Sequence, residues 1–516
     1  MTVATLLLMP SCNSSYPGLD YEPQPGEEPS NDEDIKIEKT PIKIYTSTPG
    51  FFSLTAGTRG TGAFPWVDPD NTEIPEKYYK STFHVFAFRT GTGADGNGGQ
   101  GVLSGSTDLT RTVYAHGKDN NPSNTTVLDP TNTSCLLDGE DYYKGMPCEF
   151  VKDGSLSALK PIPPSPEDDC TVYYSGNYQD VGYSFFGYHI DDFTPTINNT
   201  HRNESEIYYD IEVDGNQDIL LGYAEPITEK DFEGGEGKED GKFYEITHNR
   251  LSDEEKKRIL DAKGGYSAYA GHRLIHPTIN LRHMLTQLKF KAYPGDNSAD
   301  RVTITGISVR AAKTGKMTVA SRRLSDIKLE YPIIRNTDSS SDIKAKTKLY
   351  WLTEPAAEVG GTCPKAEHTD SDDPELNNGK DKYGNNVLND YKVTWDESLR
   401  DTPVNQRPMT DLGGSLLLPT SCVYDVNLHY TFLKQDKEDE KGKEERFVAN
   451  YRIHAPENDG GISYDPETGE YRFMPGVIYT IKIGVYGLQK IEMSGSIEGW
   501  GNGGDIIVDP DNPEGM

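Results

Sequence analysis

From Ile42 onward, apolar and polar residues alternate in short runs separated by clusters of Gly, Asn, Asp and Pro. That period of two, punctuated by turn formers, is the pattern of an all-β sandwich. The first half predicts strands at Ile42–Tyr45, Phe51–Leu54, Thr82–Phe88, Thr171–Tyr174, Tyr183–His189, Tyr208–Val213 and Ile219–Ala224. A second strand-rich region opens near Ile279, where Leu288, Phe290 and Ala292 alternate with Lys289 and Lys291, and Val302 and Ile304 alternate with Thr303 and Thr305. Further strands are expected at Leu349–Leu352, Ser415–Pro419 and Val423–Phe432, and the charged stretch Lys434–Arg446 reads as a solvated hairpin extension. The polar insertions Gly91–Gly105 and Glu229–Lys242 read as surface loops.

One helix is well signalled. Ser252-Asp253-Glu254-Glu255 is a capping box, in which Ser252 accepts from the Glu255 backbone and Glu255 reaches back. The run Lys256–Lys263 then meets Gly264, the residue type that ends helices. The expected element is a short connector.

These patterns divide the chain into four parts. Residues 1–11 read as a lipoprotein signal peptide and 41–275 as an N-terminal β-sandwich; 276–516 read as a C-terminal β-sandwich. Between signal and sandwich, residues 12–40 are acidic and proline-rich, with too little apolar surface to offset the entropy of ordering, so they read as a disordered tether.

The signal assignment rests on Thr5-Leu6-Leu7-Leu8-Met9-Pro10-Ser11-Cys12, a short apolar run and a small residue before a cysteine. It resembles a bacterial lipobox, in which the thiol is acylated and becomes the new N-terminus. No Lys or Arg precedes the run as a secretory leader requires, so the expected start lies upstream. The alternative is a mildly apolar, disordered start on a soluble protein.

At 516 residues the chain is long enough for two or three domains with real cores. Its net charge of −31 repels phosphate backbones, so no nucleic-acid partner is expected. Beyond the first dozen residues no apolar run approaches the roughly 18–20 residues of a membrane-spanning helix, which leaves Cys12 as the expected link to the outer membrane. Cys135, Cys148, Cys170, Cys363 and Cys422 form no C-x-x-C pair. The Cys135–Cys148 spacing permits a loop-closing bridge in an oxidising compartment, against buried or free thiols.

Candidate chemistry is sparse. Gly91-Thr92-Gly93-Ala94-Asp95-Gly96 matches G-x-G-x-x-G, but Asn97-Gly98-Gly99-Gln100-Gly101 cannot start the helix whose N–H groups would meet a phosphate. His272, His276 and His283 have near-helical spacing, but Pro277 interrupts it and the general-base Glu of a zinc hydrolase is missing. Asp68-Pro69-Asp70-Asn71 and Asp370-Ser371-Asp372-Asp373 lack the glycine and closing glutamate of a calcium loop. With no G-x-S-x-G and no nucleophile beside a base, no catalytic residue and no cofactor are assigned, and an enzyme is not expected.

The order of segments is more telling. The acylatable Cys12, Gly57-Thr58-Arg59-Gly60 and Asp218–Ala224 come first, followed by Leu281–Phe290, Val302–Ile307 with Lys313–Lys316, Leu416–Pro419, and Pro475–Ile483 leading to Gly499-Trp500. This order resembles the fimbrillin family, the type V pilins of Gram-negative anaerobes. The resemblance implies two tandem transthyretin-like β-sandwich domains in a lipoprotein precursor. It also implies that an arginine-specific protease removes the first strand and a strand of the next subunit fills the opened groove.

On that reading the cleavage falls between Arg59 and Gly60, in a glycine-rich segment flexible enough to enter a protease. The expected donor is the C-terminal segment, in which Ile491, Met493, Gly495, Ile497 and Gly499 alternate with Glu492, Ser494, Ser496 and Glu498, and which Ile506 and Val508 extend. The same alternation fits an ordinary last strand of the chain's own sandwich. The expected partners are copies of itself or related pilin subunits, together with a host-surface protein or glycan, at the cell surface in a fimbrium. Two alternatives stay open: a tip or accessory adhesin, suggested by the long loops, and a glycan-binding surface lipoprotein stacking sugars on Trp66, Trp351, Trp395 or Trp500.

Overall fold

The computed structural model describes residues 40–47, 82–90, 135–137, 144–153, 156–162, 172–174, 180–190, 199–202, 206–213, 215, 217–235, 240–262, 264–332, 341, 345–351, 391–392, 394–403, 406–419, 423–434, 442–457, 463–466, 469–486, 491–499 and 505–507. Its elements are overwhelmingly strands, an all-β fold. The first nine are β1 (Ile44–Ser47), β2 (Thr82–Arg89), β3 (Cys135–Leu137), β4 (Met146–Asp153), β5 (Leu156–Pro161), β6 (Tyr183–Ile190), β7 (Thr200–Arg202), β8 (Glu206–Glu212) and β9 (Ile219–Tyr223). Helices α1 (Tyr244–Thr247), α2 (Asp253–Asp261) and α3 (Ala268–His272) follow, then β10 (Thr278–Asn280), β11 (Arg282–His283), β12 (Thr286–Pro294), β13 (Val302–Ala312), β14 (Thr314–Ser321) and β15 (Leu329–Glu330). The remainder are β16 (Thr347–Trp351), β17 (Tyr391–Lys392), β18 (Thr410–Leu417), β19 (Val423–Lys434), β20 (Lys443–His454), β21 (Tyr464–Asp465), β22 (Glu470–Tyr471), β23 (Val477–Val485), β24 (Ile491–Gly499) and β25 (Asp505–Ile507).

The N-terminal sheet runs β10-β1-β5-β4-β2-β6-β9-β11, with β3 also on β2. Its two ends are β10 and β11, adjacent in the chain, and an antiparallel bridge joins Ala224, just after β9, to Ile279 of β10. The sheet therefore closes on itself. Gly222 permits the closure, since a Cβ there would lie 2.1 Å from the Asn280 carbonyl oxygen.

Both faces of this sheet are buried, which explains the near-continuous apolar runs of β2 and β6. On one face Phe83, Val85 and Phe185 pack with Ile259 of α2, Ala268 and Tyr269 of α3, and Ile279. On the other, Phe86, Phe88, Phe186 and Tyr188 join a second core with Phe290, Ile304, Leu428 and Ile481. Each buried large apolar side chain contributes about 1.5–3 kcal/mol. The second core is enclosed by sheets β18-β12-β23-β24-β25 and β16-β13-β19-β20 (with β17 on β13), and by β15-β14-β8-β7. Strand β19 shows why sequence predicts strands well here: Tyr424, Val426, Leu428, Tyr430 and Phe432 are buried while the residues between them are half-exposed.

Strand pairing crosses residue 275 in both directions. Strands β10 and β11 belong to the N-terminal sheet, whereas β8 pairs with β14 from Thr314 opposite Glu212 to Ser321 opposite Glu206.

Several expectations need correction. Within Thr171–Tyr174 the described residues 172–174 form no strand and make a single bridge, Pro41 to Tyr173. Glu229–Lys242 is more than a loop, because residues 229–232 form a 3-10 turn whose Phe232 is buried against Phe243 at 6.1 Å. The capped helix forms as expected, with Ser252 accepting from the Glu255 N–H at 3.2 Å and Glu255 accepting from the Ser252 N–H at 2.9 Å. It ends at Asp261, however, and α1 and α3 join it. Gly264 follows at φ +75°, in the left-handed region that suits glycine. Lys434 opposite Lys443 ends the ladder of the charged hairpin, whose second arm is strand from residue 443 onward. Phe51–Leu54 and Gly91–Gly105 lie outside the described residues. No helix among the described residues is long and apolar enough to cross a membrane.

Candidate functional site

The expected site residues separate into two groups. Cys12, Arg59, Gly60 and Val508 lie outside the described residues. Ile491, Met493 and Ile497 fall in β24 and Ile506 in β25, where β24 pairs antiparallel with β23 from Val477 opposite Gly499 to Val485 opposite Ile491. In this structure the segment is thus the last part of the chain's own sheet.

The first strand occupies a slot between two others. It pairs in parallel with β10, Tyr45 opposite Thr278 and Ser47 opposite Asn280, and antiparallel with β5, Ile44 opposite Leu159. Upstream of β1, the Ile42 N–H donates to the Val172 carbonyl at 2.8 Å and the Tyr174 N–H to the Thr40 carbonyl at 3.0 Å. Thr40, Ile42, Ile44 and Thr46 all point inward and are buried, while Pro41, Lys43 and Tyr45 between them are half-buried. Period-two alternation, legible as Ile42-Lys43-Ile44-Tyr45, therefore sets the register.

The floor of the slot is apolar but incompletely satisfied. Leu159, Val172, Tyr174 and Ile279 are buried in the same cluster as Ile42 and Ile44. Gly271 of α3 lies close enough that a Cβ would sit 3.1 Å from Thr40 Cγ2 and 3.2 Å from Tyr174 Cε2. The hydroxyls of Thr40 and Tyr174 are buried without a hydrogen-bond acceptor or donor. Burial holds the Tyr174 phenol well above its ordinary value, and the neighbouring Tyr266 and Tyr183 add to the shift. Nearby, the Tyr266 hydroxyl donates to the Glu225 carbonyl at 2.8 Å and accepts from Lys242 Nζ at 2.8 Å. Desolvation lowers the Lys242 ammonium pKa.

The three histidines do not converge. His272 ends α3, His276 meets Tyr45 edge-on at 5.8 Å, and the buried His283 Nδ1 lies 2.9 Å from Asp218 Oδ2. No group of three or more His, Cys, Asp or Glu among the described residues is arranged to hold a metal ion. The segments 68–71, 91–96 and 370–373 lie outside those residues. An open cleft over β8, β14 and β15 has Asp210, Glu212 and Glu330 beside Lys316, but Lys316 pairs with Glu206 at 3.2 Å, and the cleft is a charged sheet face.

Cys135 and Cys148 are placed apart. Cys135 stands opposite Phe88 of β2 and Cys148 opposite Phe83. At about 3.4 Å per residue this separates them by about 17 Å along the strand, beyond the ~7 Å Cα limit of a disulfide. Cys148 is a buried thiol that donates weakly to the Met146 carbonyl at 3.6 Å. Of the four tryptophans, Trp66 and Trp500 lie outside the described residues and Trp351 falls in β16. Trp395 is half-buried, with the Arg407 guanidinium 5.3 Å from its ring centre and its backbone N–H donating to Asp300 at 2.7 Å. Its ring is covered by protein on that side.

No protein-family model matches the chain, and no curated protein matches it. Among solved structures, it is similar to a candidate cell adhesion protein from Bacteroides uniformis at 8% identity and a TM-score of 0.34, over 90% of this chain and 98% of that one. It is also similar to the tip fimbrial protein Mfa3 from Porphyromonas gingivalis, truncated at its C-terminus, at 9% identity and a TM-score of 0.27, over 81% and 94%. The fimbrial anchor protein Mfa2 from the same organism gives 10% identity and a TM-score of 0.23, over 91% and 100%.

Proposed function

We propose that this chain is a structural subunit of a cell-surface fimbria. It is exported as an outer-membrane lipoprotein through Cys12 and completed in the filament by a strand from a neighbouring subunit. The observation that carries this reading is β1 itself, a four-residue strand that seals an otherwise closed sheet between β5 and β10. Cleavage at Arg59–Gly60 would sever β1 from the body of the chain, since the cut lies C-terminal to Ser47 and before β2.

Loss of β1 leaves two strands with unpaired N–H and C=O groups and uncovers apolar side chains such as Leu159 and Ile279. An opened sheet of this kind is a template for strand addition, which restores main-chain hydrogen bonds and fills the side-chain positions of Ile42 and Ile44. The donor in this reading is the segment 491–508 of the next subunit, released from its place beside β23. Filaments built this way would support adhesion to host-surface protein or glycan.

The test is electron microscopy of the purified full chain after treatment with an arginine-specific protease, alongside an Arg59→Ala variant. Filaments are expected from the cleaved protein and none from the variant. Cleaved protein that has lost its first 59 residues yet stays monomeric overturns the reading.

A further inference from the structure

The strand in the slot is held differently at its two ends. Downstream, the Thr46 hydroxyl donates to the Ile279 carbonyl at 3.2 Å and the Tyr45 N–H donates to the Pro277 carbonyl at 2.9 Å. Upstream, Thr40 and Tyr174 are 5% and 3% exposed, and neither hydroxyl has a hydrogen-bond partner. The two side chains are neighbours, since a Cβ on Gly271 would lie 3.1 Å from Thr40 Cγ2 and 3.2 Å from Tyr174 Cε2. Around the phenol stand the rings of Tyr183, with centres 6.2 Å apart, and of Phe185 at 6.5 Å. Both hydroxyls are hydrated when the slot is open. Closing residues 40–47 over them strips that water and returns no bond, the costly case for a buried polar group.

The chain carries a second segment with the spacing of Thr40, Ile42 and Ile44. Gln489, Ile491 and Met493 place a polar residue two positions before two large apolar ones, and the small Gly495 follows where Thr46 follows Ile44. The other large residue of that alternation, Ile497, stands between Gly495 and Gly499. Ile506 and Val508 also make a large pair, but Gly504 before them brings no polar group. A glutamine carboxamide reaches further than a threonine hydroxyl and offers both an acceptor and a donor.

We propose that the strand of a neighbouring subunit enters the vacated slot with Gln489, Ile491 and Met493 in the places of Thr40, Ile42 and Ile44, its carboxamide accepting from the Tyr174 hydroxyl. This register rests on the strand addition proposed above. The incoming strand runs in the direction of β1. Reversed, it would set Gly495 beside Tyr174 and Gln489 beside the Ile279 carbonyl, which already accepts from the Leu281 N–H at 3.2 Å, and the phenol would stay unpaired. Replacement is then favoured by the slot itself, because the resident strand leaves a buried hydroxyl unpaired and the incoming strand pairs it. Tyr174 is the residue by which the slot tells the two strands apart.

A double-mutant cycle tests this. The full chain, cut by an arginine-specific protease and separated from its first 59 residues, is titrated with a synthetic peptide of residues 487–496. Gln489→Ala in the peptide should weaken binding to the parent protein about tenfold, but less than twofold to Tyr174→Phe, which lacks the hydroxyl. In the uncut chain, hydrogen exchange at the Ile42 N–H, bonded to the Val172 carbonyl at 2.8 Å, reads the resident strand. Tyr174→Phe should slow that exchange about tenfold, because closing no longer strands a hydroxyl. Thr40→Val, which removes the other unpaired hydroxyl, should slow it likewise and serves if the phenylalanine variant fails to fold. Unchanged or faster exchange, or an equal loss from Gln489→Ala on both proteins, overturns the proposal. A cut chain that binds neither peptide overturns the strand addition as well, whereas binding without coupling to Tyr174 overturns the register alone.

Discussion

The Thr46 hydroxyl donates to the Ile279 carbonyl at 3.2 Å, linking residues 233 positions apart where β1 seals the N-terminal sheet. Ile279 is fully buried and sits at the closure, paired with Thr46 on one side and bridged to Ala224 on the other. Losing this bond loosens the seal without emptying the core. Thr46→Val keeps the shape of the side chain, and because the Ile279 carbonyl still accepts from the Leu281 N–H at 3.2 Å, the cost is about 1 kcal/mol. Hydrogen exchange at the amides of residues 44–47 should quicken roughly fivefold, since 1.4 kcal/mol is tenfold. Unchanged exchange there would show that the hydroxyl does not hold the strand.

A second consequence concerns pH. His84 stacks on Tyr188 with ring centres 5.1 Å apart. Burial lowers its pKa from 6.5 to about 4, and His189 and Lys144 push the same way. The folded state thus keeps His84 neutral while the unfolded chain takes up a proton as pH falls below about 6.5. Its contribution is complete above that value and is lost progressively down to about pH 4. Between pH 7 and pH 5 the loss is on the order of 2 kcal/mol. Urea unfolding at the two pH values should show that difference in the parent chain and a smaller one in His84→Gln.

Asp218 and His283 form a buried pair where the chain passes from the N-terminal sheet into β12. Asp218 Oδ1 also accepts from the Ile219 N–H at 2.9 Å. Asp218→Ala removes the hydrogen-bond acceptor from both the His283 ring and the Ile219 N–H inside the protein, where leaving a buried polar group unsatisfied costs about 1–3 kcal/mol. The expected result is a large drop in the unfolding midpoint, with Asp218→Asn intermediate because its amide oxygen still accepts one bond. An alanine variant as stable as the parent would mean that water replaces the carboxylate.

Legibility in the sequence followed exposure to contrast. Strand β19 was readable because one face meets the core and the other meets water, and α2 because Ser252 and Glu255 form a local motif. The second arm of its hairpin was obscured, since Lys443, Glu444, Glu445 and Arg446 look like a solvated turn although they begin β20. Helix α3, Ala-Tyr-Ala-Gly-His, is too short and too fully buried to show a period. Above all, the pairing of β8 with β14 and of β1 with β10 joins residues about a hundred or more apart, and no local pattern encodes such partners. The first strand of the slot was legible by its alternation, but the place of Tyr174 and Gly271 in its floor was not: the alternation at Thr171–Tyr174 reads as a strand where a single bridge forms, and α3 is too short to show a period.

The last prediction concerns β24, which as the donor must be able to leave its place without undoing the fold. It lies near the margin of its sheet, bonded to β23 on one side and, among the described residues, on the other to the three-residue β25. Deleting residues 491–516 therefore removes the outer two strands and leaves β18, β12 and β23 paired, with Phe290 and Ile481 still in the core. A strand added at the edge contributes chiefly cross-strand pairs, about 0.2–1 kcal/mol each, so the truncated chain should remain a folded monomer resistant to mild proteolysis. Filament formation by protease-matured subunits should vanish, because each slot vacated by β1 then lacks an occupant. Filaments from the truncated protein would place the donor elsewhere in the chain, while an unfolded product would show that β24 is integral to its own sheet.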